Sequence, residues 1–132
     1  MKEINKILVV DCADMYEFFY NWFLYLKPFH KLATREIKAL AYIYMYKHEL
    51  SKKNSNVAEV DAQVLSTPIL KEVSNKMGIT LDHLKVAMTK IRKLKIIDNK
   101  RISMKLMPII KQNNYNVMLK FVINDTKDLT QS

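Results

Sequence analysis

The sequence contains one glycine, one cysteine and three prolines among its 132 residues. A single glycine cannot build the glycine-rich loops that cradle phosphate groups in nucleotide-binding enzymes, and no P-loop pattern is present. A single cysteine, Cys12, cannot form a disulfide bond within the chain, so we expect a small buried apolar residue in a reducing cytosol. These scarcities exclude disulfide scaffolds and the common nucleotide-binding classes.

Long apolar runs and metal-ligand patterns are also absent. No stretch of 18 apolar residues occurs, and Asp11 and Asp14 interrupt the apolar N-terminus, so we expect neither a membrane span nor a signal peptide. The three histidines and Cys12 lack metal-ligand spacing, and no acidic pair suggests acid–base catalysis. We therefore predict a cytoplasmic protein that is not an enzyme and has no cofactor, metal or small-molecule substrate.

The sequence is rich in apolar residues and in positive charge. Apolar residues make up 49% of the chain, whose length suits one domain with a real core, over residues 1–132. The net charge of +9 is concentrated late in the chain, where residues 85–120 hold ten basic residues and one acidic residue. Such asymmetry is typical of proteins that bind a polyanion, although charged faces are usually only solvated.

The stretch 67–97 organises the chain. Two segments with helical apolar spacing flank Gly78, where the backbone can adopt a positive φ and end a helix. Thr80 is a suitable N-cap for the second helix, whose apolar stripe comprises Leu84, Met88, Ile91 and Leu94. A helix, a three-residue turn with glycine and a second striped helix form the pattern of a helix-turn-helix.

The run MTKIRKLKII, from Met88 to Ile97, resembles the end of the recognition helix in winged-helix proteins. In that superfamily the apolar stripe leads into a short turn and the first strand of the wing, often with glycine at the position of Lys95. The segments 101–107 and 115–123 are predicted to pair as this wing, with 108–114 at its tip. The resemblance implies an α+β winged helix-turn-helix with a C-terminal β-hairpin wing.

The earlier part of the chain adds elements to this core. We predict a short strand at 5–10, a helix from Met15 to about Lys27 that ends at Pro28, and a helix from 34 to about Leu50. Residues 51–66 are predicted to form a polar loop with one helical turn near 60–65. The domain then comprises an arm and aromatic-rich helix at 1–30, a winged-helix core at 31–125 and a polar tail at 126–132.

The first predicted helix carries seven aromatic residues within ten positions, on nearly every side. A helix that is apolar all round must be buried all round. Two explanations remain open: the helix is the centre of the chain's own core, or part of it contacts a second copy or another protein. We favour the second, and the predicted interface residues are Tyr16, Phe19, Trp22 and Phe23.

The exposed face of the second helix of the helix-turn-helix is the candidate surface for duplex DNA, because such helices enter the major groove. The predicted contacts are His83, Lys85, Thr89, Lys90 and Lys93 on the helix, and Arg101, Lys105 and Lys111 on the wing. For His83, a solvent-exposed histidine without a ligand is an equally good explanation. The negative charge of Asp82 disfavours contact with a polyanion. The charge supports affinity for the DNA backbone better than recognition of a base sequence.

A second resemblance covers roughly residues 1–125. The order of VVDCADMYEFFYNW, LKPFHKL and MTKIRKLKII is similar to that in small proteins of tailed phages, especially crAss-like phages of gut bacteria. It implies a regulator in the host cytoplasm or a component of the virion. We predict non-catalytic binding of duplex DNA by an oligomeric phage or bacterial regulatory protein. The alternative is a connector or tail subunit that uses the winged-helix fold for protein contacts.

Overall fold

The computed structural model describes residues 6–106 and 116–121. Its elements are β1 (Lys6–Asp11), α1 (Met15–Tyr25), α2 (Lys27–His30), α3 (Thr34–Ser51), α4 (Val57–Val64), α5 (Thr67–Met77), α6 (Leu81–Lys93), β2 (Ile97–Asp98), β3 (Arg101–Ile102) and β4 (Asn116–Phe121). The described part is mostly helical and adds short antiparallel strand pairs, which agrees with the predicted α+β class.

The long helix α3 lies at the centre of the helical part, in contact with α1, α4, α5 and α6. Its N-cap, Ala33, has no side-chain acceptor, so the first turn is closed by Glu36, whose Oε1 accepts a hydrogen bond from the Ala33 N–H at 2.7 Å. The fully buried apolar side chains of α3 include Ile37, Leu40, Ile43 and Tyr44. These residues form the part of the core on which the other helices pack.

The aromatic helix α1 packs on α3, and Asp14 caps it by accepting a hydrogen bond from the Glu17 N–H at 2.8 Å. The assignment of Phe19 and Phe23 to a partner surface is wrong, because both side chains are 0% exposed within this chain. Phe23 lies edge-on to the Tyr44 ring, with ring centroids 4.9 Å apart. The face of α1 that carries these two residues is therefore part of the chain's own core.

In two segments of the chain, the observed helices differ from the predicted ones. Helix α1 ends at Tyr25, and Pro28 lies in the first turn of α2, where the missing N–H of proline costs no hydrogen bond. The polar stretch 51–66 contains the whole of α4, more than the single turn predicted. Asn56 starts α4 by accepting a hydrogen bond from the Glu59 N–H at 3.1 Å, and Val60 is buried against the core.

Helices α5 and α6 are joined by three residues, as predicted. Gly78 has a φ of 71° and ends α5 in a Schellman motif, in which the Ile79 N–H donates to the Ser74 carbonyl at 3.0 Å. Thr80 then caps α6 by accepting a hydrogen bond from the His83 N–H at 3.2 Å. The local signals that predicted the turn are thus the contacts that form it.

The predicted pairing of 101–107 with 115–123 is wrong. Strand β4 pairs with β1, in antiparallel register from Lys6↔Phe121 to Asp11↔Asn116, whereas the local hairpin is β2 with β3. The segment after β3 does not continue as a strand, because the Ser103 hydroxyl accepts a hydrogen bond from the Lys105 N–H at 3.2 Å and turns the chain. Consequently the Met104 side chain is 54% exposed.

The remaining predictions for the C-terminal part fall outside the described residues. These are the tip at 108–114, its Lys111 and the tail at 126–132.

Candidate nucleic-acid interface

Helix α6 separates its apolar and polar residues onto opposite faces. Leu84, Ala87, Met88 and Ile91 are buried where α6 packs on α3 and α5. Leu94 was predicted to join them, but it is the C-cap of the helix and is 46% exposed. The five site residues predicted on α6 are all exposed: His83, Lys85, Thr89, Lys90 and Lys93. The helix therefore offers a polar face that is free for contact.

The polar face of α6 is basic. Residues 80–105 hold eight basic and two acidic residues, and the ion pairs found in the described ranges involve Lys47, Lys52 and Arg101 but no lysine of α6. Asp82, the acidic residue on this face, lies in the first turn, where the helix dipole stabilises a carboxylate. Asp82 thus has a structural reason to be there, and no ion pair of the described ranges neutralises a lysine of α6.

Two polar side chains of α6 are engaged within the chain. The Thr89 hydroxyl donates to the Lys85 carbonyl at 3.2 Å, so its hydrogen is not available to a base or a phosphate. Arg92 was not among the predicted site residues. Its Nη1 donates to the Asn99 carbonyl at 3.0 Å, which ties the helix to the turn of the β2–β3 hairpin.

A buried carboxylate holds this hairpin against α3 and α4. Asp61 of α4 is 0% exposed, and its Oδ2 accepts hydrogen bonds from the Ile102 N–H at 2.9 Å and the Arg101 Nε at 3.3 Å. The Lys47 ammonium, on α3, pairs with the other carboxylate oxygen. Because a buried charge is tolerated only when it is paired and hydrogen-bonded, these contacts fix where the hairpin docks.

Tyr44 adds a second attachment from α3 to the same segment. Its hydroxyl donates to the Ser103 carbonyl at 2.6 Å, and the Ser103 N–H donates to the Ile96 carbonyl at 2.8 Å. Burial, and then the nearby Asp61 carboxylate, raise the pKa of Tyr44 far above its usual value, so the phenol remains a donor. The hairpin is therefore held rigidly beside the C-terminal end of α6.

The predicted wing residues have unequal roles in this arrangement. The Arg101 side chain is 59% exposed, but its Nε is committed to Asp61. Lys47 and Arg101 together leave one formal positive charge in excess over this carboxylate. Lys105 is exposed and takes part in none of the ion pairs of the described ranges, which makes it the freer cation.

Lys95 occupies a left-handed backbone position, with a φ of 64°, directly after α6. The helix ends here in a second Schellman motif, in which the Lys95 N–H donates to the Arg92 carbonyl at 3.0 Å and the Ile96 N–H to the Ile91 carbonyl at 3.3 Å. A β-carbon makes this conformation less favourable by roughly 1–2 kcal/mol. Glycine is thus the residue that the backbone conformation of position 95 favours.

Lys95→Gly is expected to raise the free energy of unfolding by roughly 0.5–1 kcal/mol, because relief of the left-handed strain outweighs the added entropy of the unfolded chain. Urea denaturation followed by circular dichroism measures the change. Lys90→Gly is the matched control: it removes the same charge inside the helix and is expected to lower stability by about 1 kcal/mol. A Lys95→Gly variant no more stable than the wild type would argue against strain at this turn.

The predicted partner surface on α1 is reduced to half-buried side chains that already have neighbours. Tyr16 stacks on Tyr42 with ring centroids 4.0 Å apart and on Tyr20 at 5.9 Å. Burial, and then the neighbouring Tyr42, raise the pKa of Tyr16 to about 12. Trp22 donates its Nε1 hydrogen to the Leu106 carbonyl at 2.7 Å. Helix α1 therefore offers less apolar surface to a partner than its sequence indicates.

An apolar groove opens where α2 approaches the C-terminal end of α6. It has a volume of about 310 Å³ and is lined by Leu26, Phe29, His30, Leu94, Ile96 and Leu106. Sequence reasoning missed this groove because its walls come from distant parts of the chain. It is a second surface, distinct from the polar face of α6.

The sequence matches no protein-family model, and no significant match was found among curated proteins or solved structures. Within the described residues, no group of three or more His, Cys, Asp or Glu side chains is placed to hold a metal ion. The same residues include no helix that is long and apolar enough to cross a membrane.

Proposed function

We propose that this chain is a non-catalytic winged-helix module that binds duplex DNA, as a phage or bacterial regulatory protein. Helices α5 and α6 form its helix-turn-helix, α6 is the recognition helix, and the β2–β3 hairpin is a short wing. The observation that carries the proposal is the exposed face of α6, on which Lys85, Lys90 and Lys93 have no acidic partner in the described ranges. A helix of about 10–12 Å diameter fits a major groove about 12 Å wide.

The composition of α6 favours contact with the DNA backbone over readout of bases. Base recognition in the major groove depends most on Arg, Asn and Gln side chains that make paired hydrogen bonds. Helix α6 contains no Asn or Gln, and its one arginine, Arg92, is bonded to the hairpin turn. Val86, 66% exposed on the same face, suits a thymine methyl group. We therefore propose affinity for duplex DNA with modest sequence preference.

The salt dependence of binding tests this function. Fluorescence anisotropy with a labelled short duplex gives the association constant at several salt concentrations. Each phosphate contact contributes about −0.9 to the slope of log K against log salt, so replacing Lys85, Lys90 and Lys93 together with alanine is expected to flatten the slope by roughly 2 to 3 units.

A triple variant with the same loss of charge is the matched control. Lys38, Lys52 and Lys53 are exposed and lie outside α6 and the hairpin, so their replacement with alanine is expected to change the slope by less than about one unit. Equal effects of the two triple variants would show that the charge of the whole chain, and not α6, drives binding. Undetectable binding at low salt would refute the proposed function.

A second candidate function is that of a structural or assembly subunit of a tailed phage, such as a connector or tail component. The observation in its favour is the apolar groove, where Phe29 and Leu94 are exposed as in a surface built for protein contact. Absent DNA binding, together with a sedimentation coefficient that rises with protein concentration, would favour this candidate over the first.

A further inference from the structure

The walls of the apolar groove are held in place by hydrogen bonds. The His30 Nδ1 accepts a hydrogen bond from the Leu32 N–H at 2.9 Å, which leaves Nε2 to donate to the Phe23 carbonyl at 2.8 Å. On the other side, the Leu106 carbonyl accepts the Trp22 Nε1 hydrogen at 2.7 Å. These bonds fix the position of the lining segments, so an incoming ligand meets a groove that is already formed.

The groove carries exposed apolar side chains that the fold does not require. Phe29 is 80% exposed, the highest value among the large apolar residues of the described ranges, and Leu94 is 46% exposed. Single exposed apolar residues are ordinary, but two of them on the walls of one groove mark a contact site. A partner that inserts an apolar side chain between these two residues therefore gains binding free energy.

The chain segments that line the groove are basic. The lining residues are followed or preceded in the chain by exposed lysines, which we call the rim: Lys27, Lys31, Lys95 and Lys105, together with Lys93, which also belongs to the polar face of α6. No lining residue has an acidic residue as its immediate neighbour in the sequence. An apolar floor with a positive rim is complementary to an apolar anchor with negative flanks.

We propose that this groove binds a short acidic segment of another protein, which inserts a large apolar side chain between Phe29 and Leu94 and places Asp or Glu side chains against the lysines of the rim. A second copy of this chain that docked groove to groove would bring the same positive rim and be repelled. Nucleic acid would satisfy the lysines, but the polar edges of its bases would find few hydrogen-bond partners among the mostly apolar lining residues. The proposal does not depend on DNA binding by α6.

A display library of random dodecapeptides, selected on the immobilised full chain, supplies the probe. The selected peptides are expected to share a Leu, Phe or Trp residue flanked by Asp or Glu. A labelled peptide of this kind is then titrated by fluorescence anisotropy. Phe29→Ser and Leu94→Ser are each expected to weaken its binding at least about tenfold, as truncation of an anchor contact does. Lys95→Glu is expected to weaken it by about the same factor, because it reverses a rim charge.

Matched variants outside the groove are the controls. Val86→Ser removes an apolar residue that is 66% exposed on the polar face of α6, and Lys38→Glu reverses an exposed charge on α3. Both are expected to keep the peptide affinity within about twofold of the wild type, as substitutions outside a contact do. Since all these positions are exposed, unfolding midpoints close to that of the wild type confirm that the variants are folded.

Several results would overturn the proposal. The first is that the selected peptides lack acidic residues. The second is that the peptides bind the Leu94→Ser variant as tightly as they bind the wild type. Self-association of the wild-type chain that Leu94→Ser abolishes would identify a second copy as the occupant. A peptide affinity raised by Ile109→Ser would identify the residues that follow Leu106 as the occupant.

Discussion

Asp61→Ala is expected to lower the free energy of unfolding by about 3–5 kcal/mol, because it leaves a buried ammonium without its counter-ion. Lys47 is 2% exposed, so bulk water does not take the place of the carboxylate without a rearrangement of the core. The Ile102 N–H also loses its acceptor. Domains of this kind are stable by about 5–15 kcal/mol, so the loss takes a large share of the total. Urea denaturation at neutral pH measures it.

Two variants separate this effect from the general cost of a substitution. Lys47→Met combined with Asp61→Leu removes both buried charges and is expected to recover most of the stability. Glu49→Ala breaks the ion pair between Glu49 and Lys52, whose side chains are 47% and 55% exposed, respectively. This substitution is expected to lower the free energy of unfolding by less than about 1 kcal/mol. A loss below about 1 kcal/mol for Asp61→Ala would contradict the buried pair.

The same substitution is expected to loosen the hairpin that Asp61 holds. Hydrogen exchange of the Ile102 amide should speed up more than exchange within α5, because the Ile102 N–H loses its acceptor whereas no hydrogen bond joins α5 to Asp61 in the described residues. Since the hairpin stands beside the end of α6, this measurement tests whether the carboxylate positions it.

Local signals explain which parts of the fold were predictable. The turn between α5 and α6 depends on Gly78 and Thr80, whose conformations are set by their immediate neighbours. The helix stripe of α6 was likewise predictable from its spacing, except at Leu94, where the helix has already ended. Strand pairing was not predictable in this way: Lys6 pairs with Phe121, and nothing local to either residue specifies the other.

The buried ion pair had a signal that could have been found. Lys47 continues the helical stripe of Ile37, Leu40 and Tyr44 on α3, a stripe that is otherwise apolar and buried. Asp61 lies beside Val60 and three residues before Val64 on α4, also within a buried stripe. Opposite charges at buried positions of two consecutive helices predict a pair. The hydrogen bond that Asp61 accepts from the Ile102 N–H could not have been predicted, because it depends on where the hairpin packs.

The aromatic helix shows why a count of apolar residues overestimates a partner surface. Its phenylalanines face the core, whereas its tyrosines and Trp22 lie at the edge, where the Trp22 indole finds a polar contact. The carbonyl that accepts the Trp22 hydrogen belongs to Leu106, which is 84 residues away in the chain. The sequence of α1 alone therefore does not predict this contact.

Phe19→Ala is expected to lower the free energy of unfolding by about 3–5 kcal/mol, because it opens a cavity in the core between α1 and α3. The side chain is 0% exposed, and its ring centroid lies 5.0 Å from that of Phe18 and 6.0 Å from that of Tyr44. Urea denaturation at two protein concentrations measures the loss, which should be the same at both because the contacts lie within one chain.

The matched control is Phe29→Ala, which removes the same ring from a position that is 80% exposed and is expected to cost less than about 0.5 kcal/mol. The pair of variants distinguishes a core residue from an interface residue. If Phe19 contacted a second copy, its truncation would raise the dissociation constant of the oligomer, and the loss of stability would depend on protein concentration. Small and equal losses for the two variants would contradict the core position of Phe19 and restore the partner surface predicted for α1.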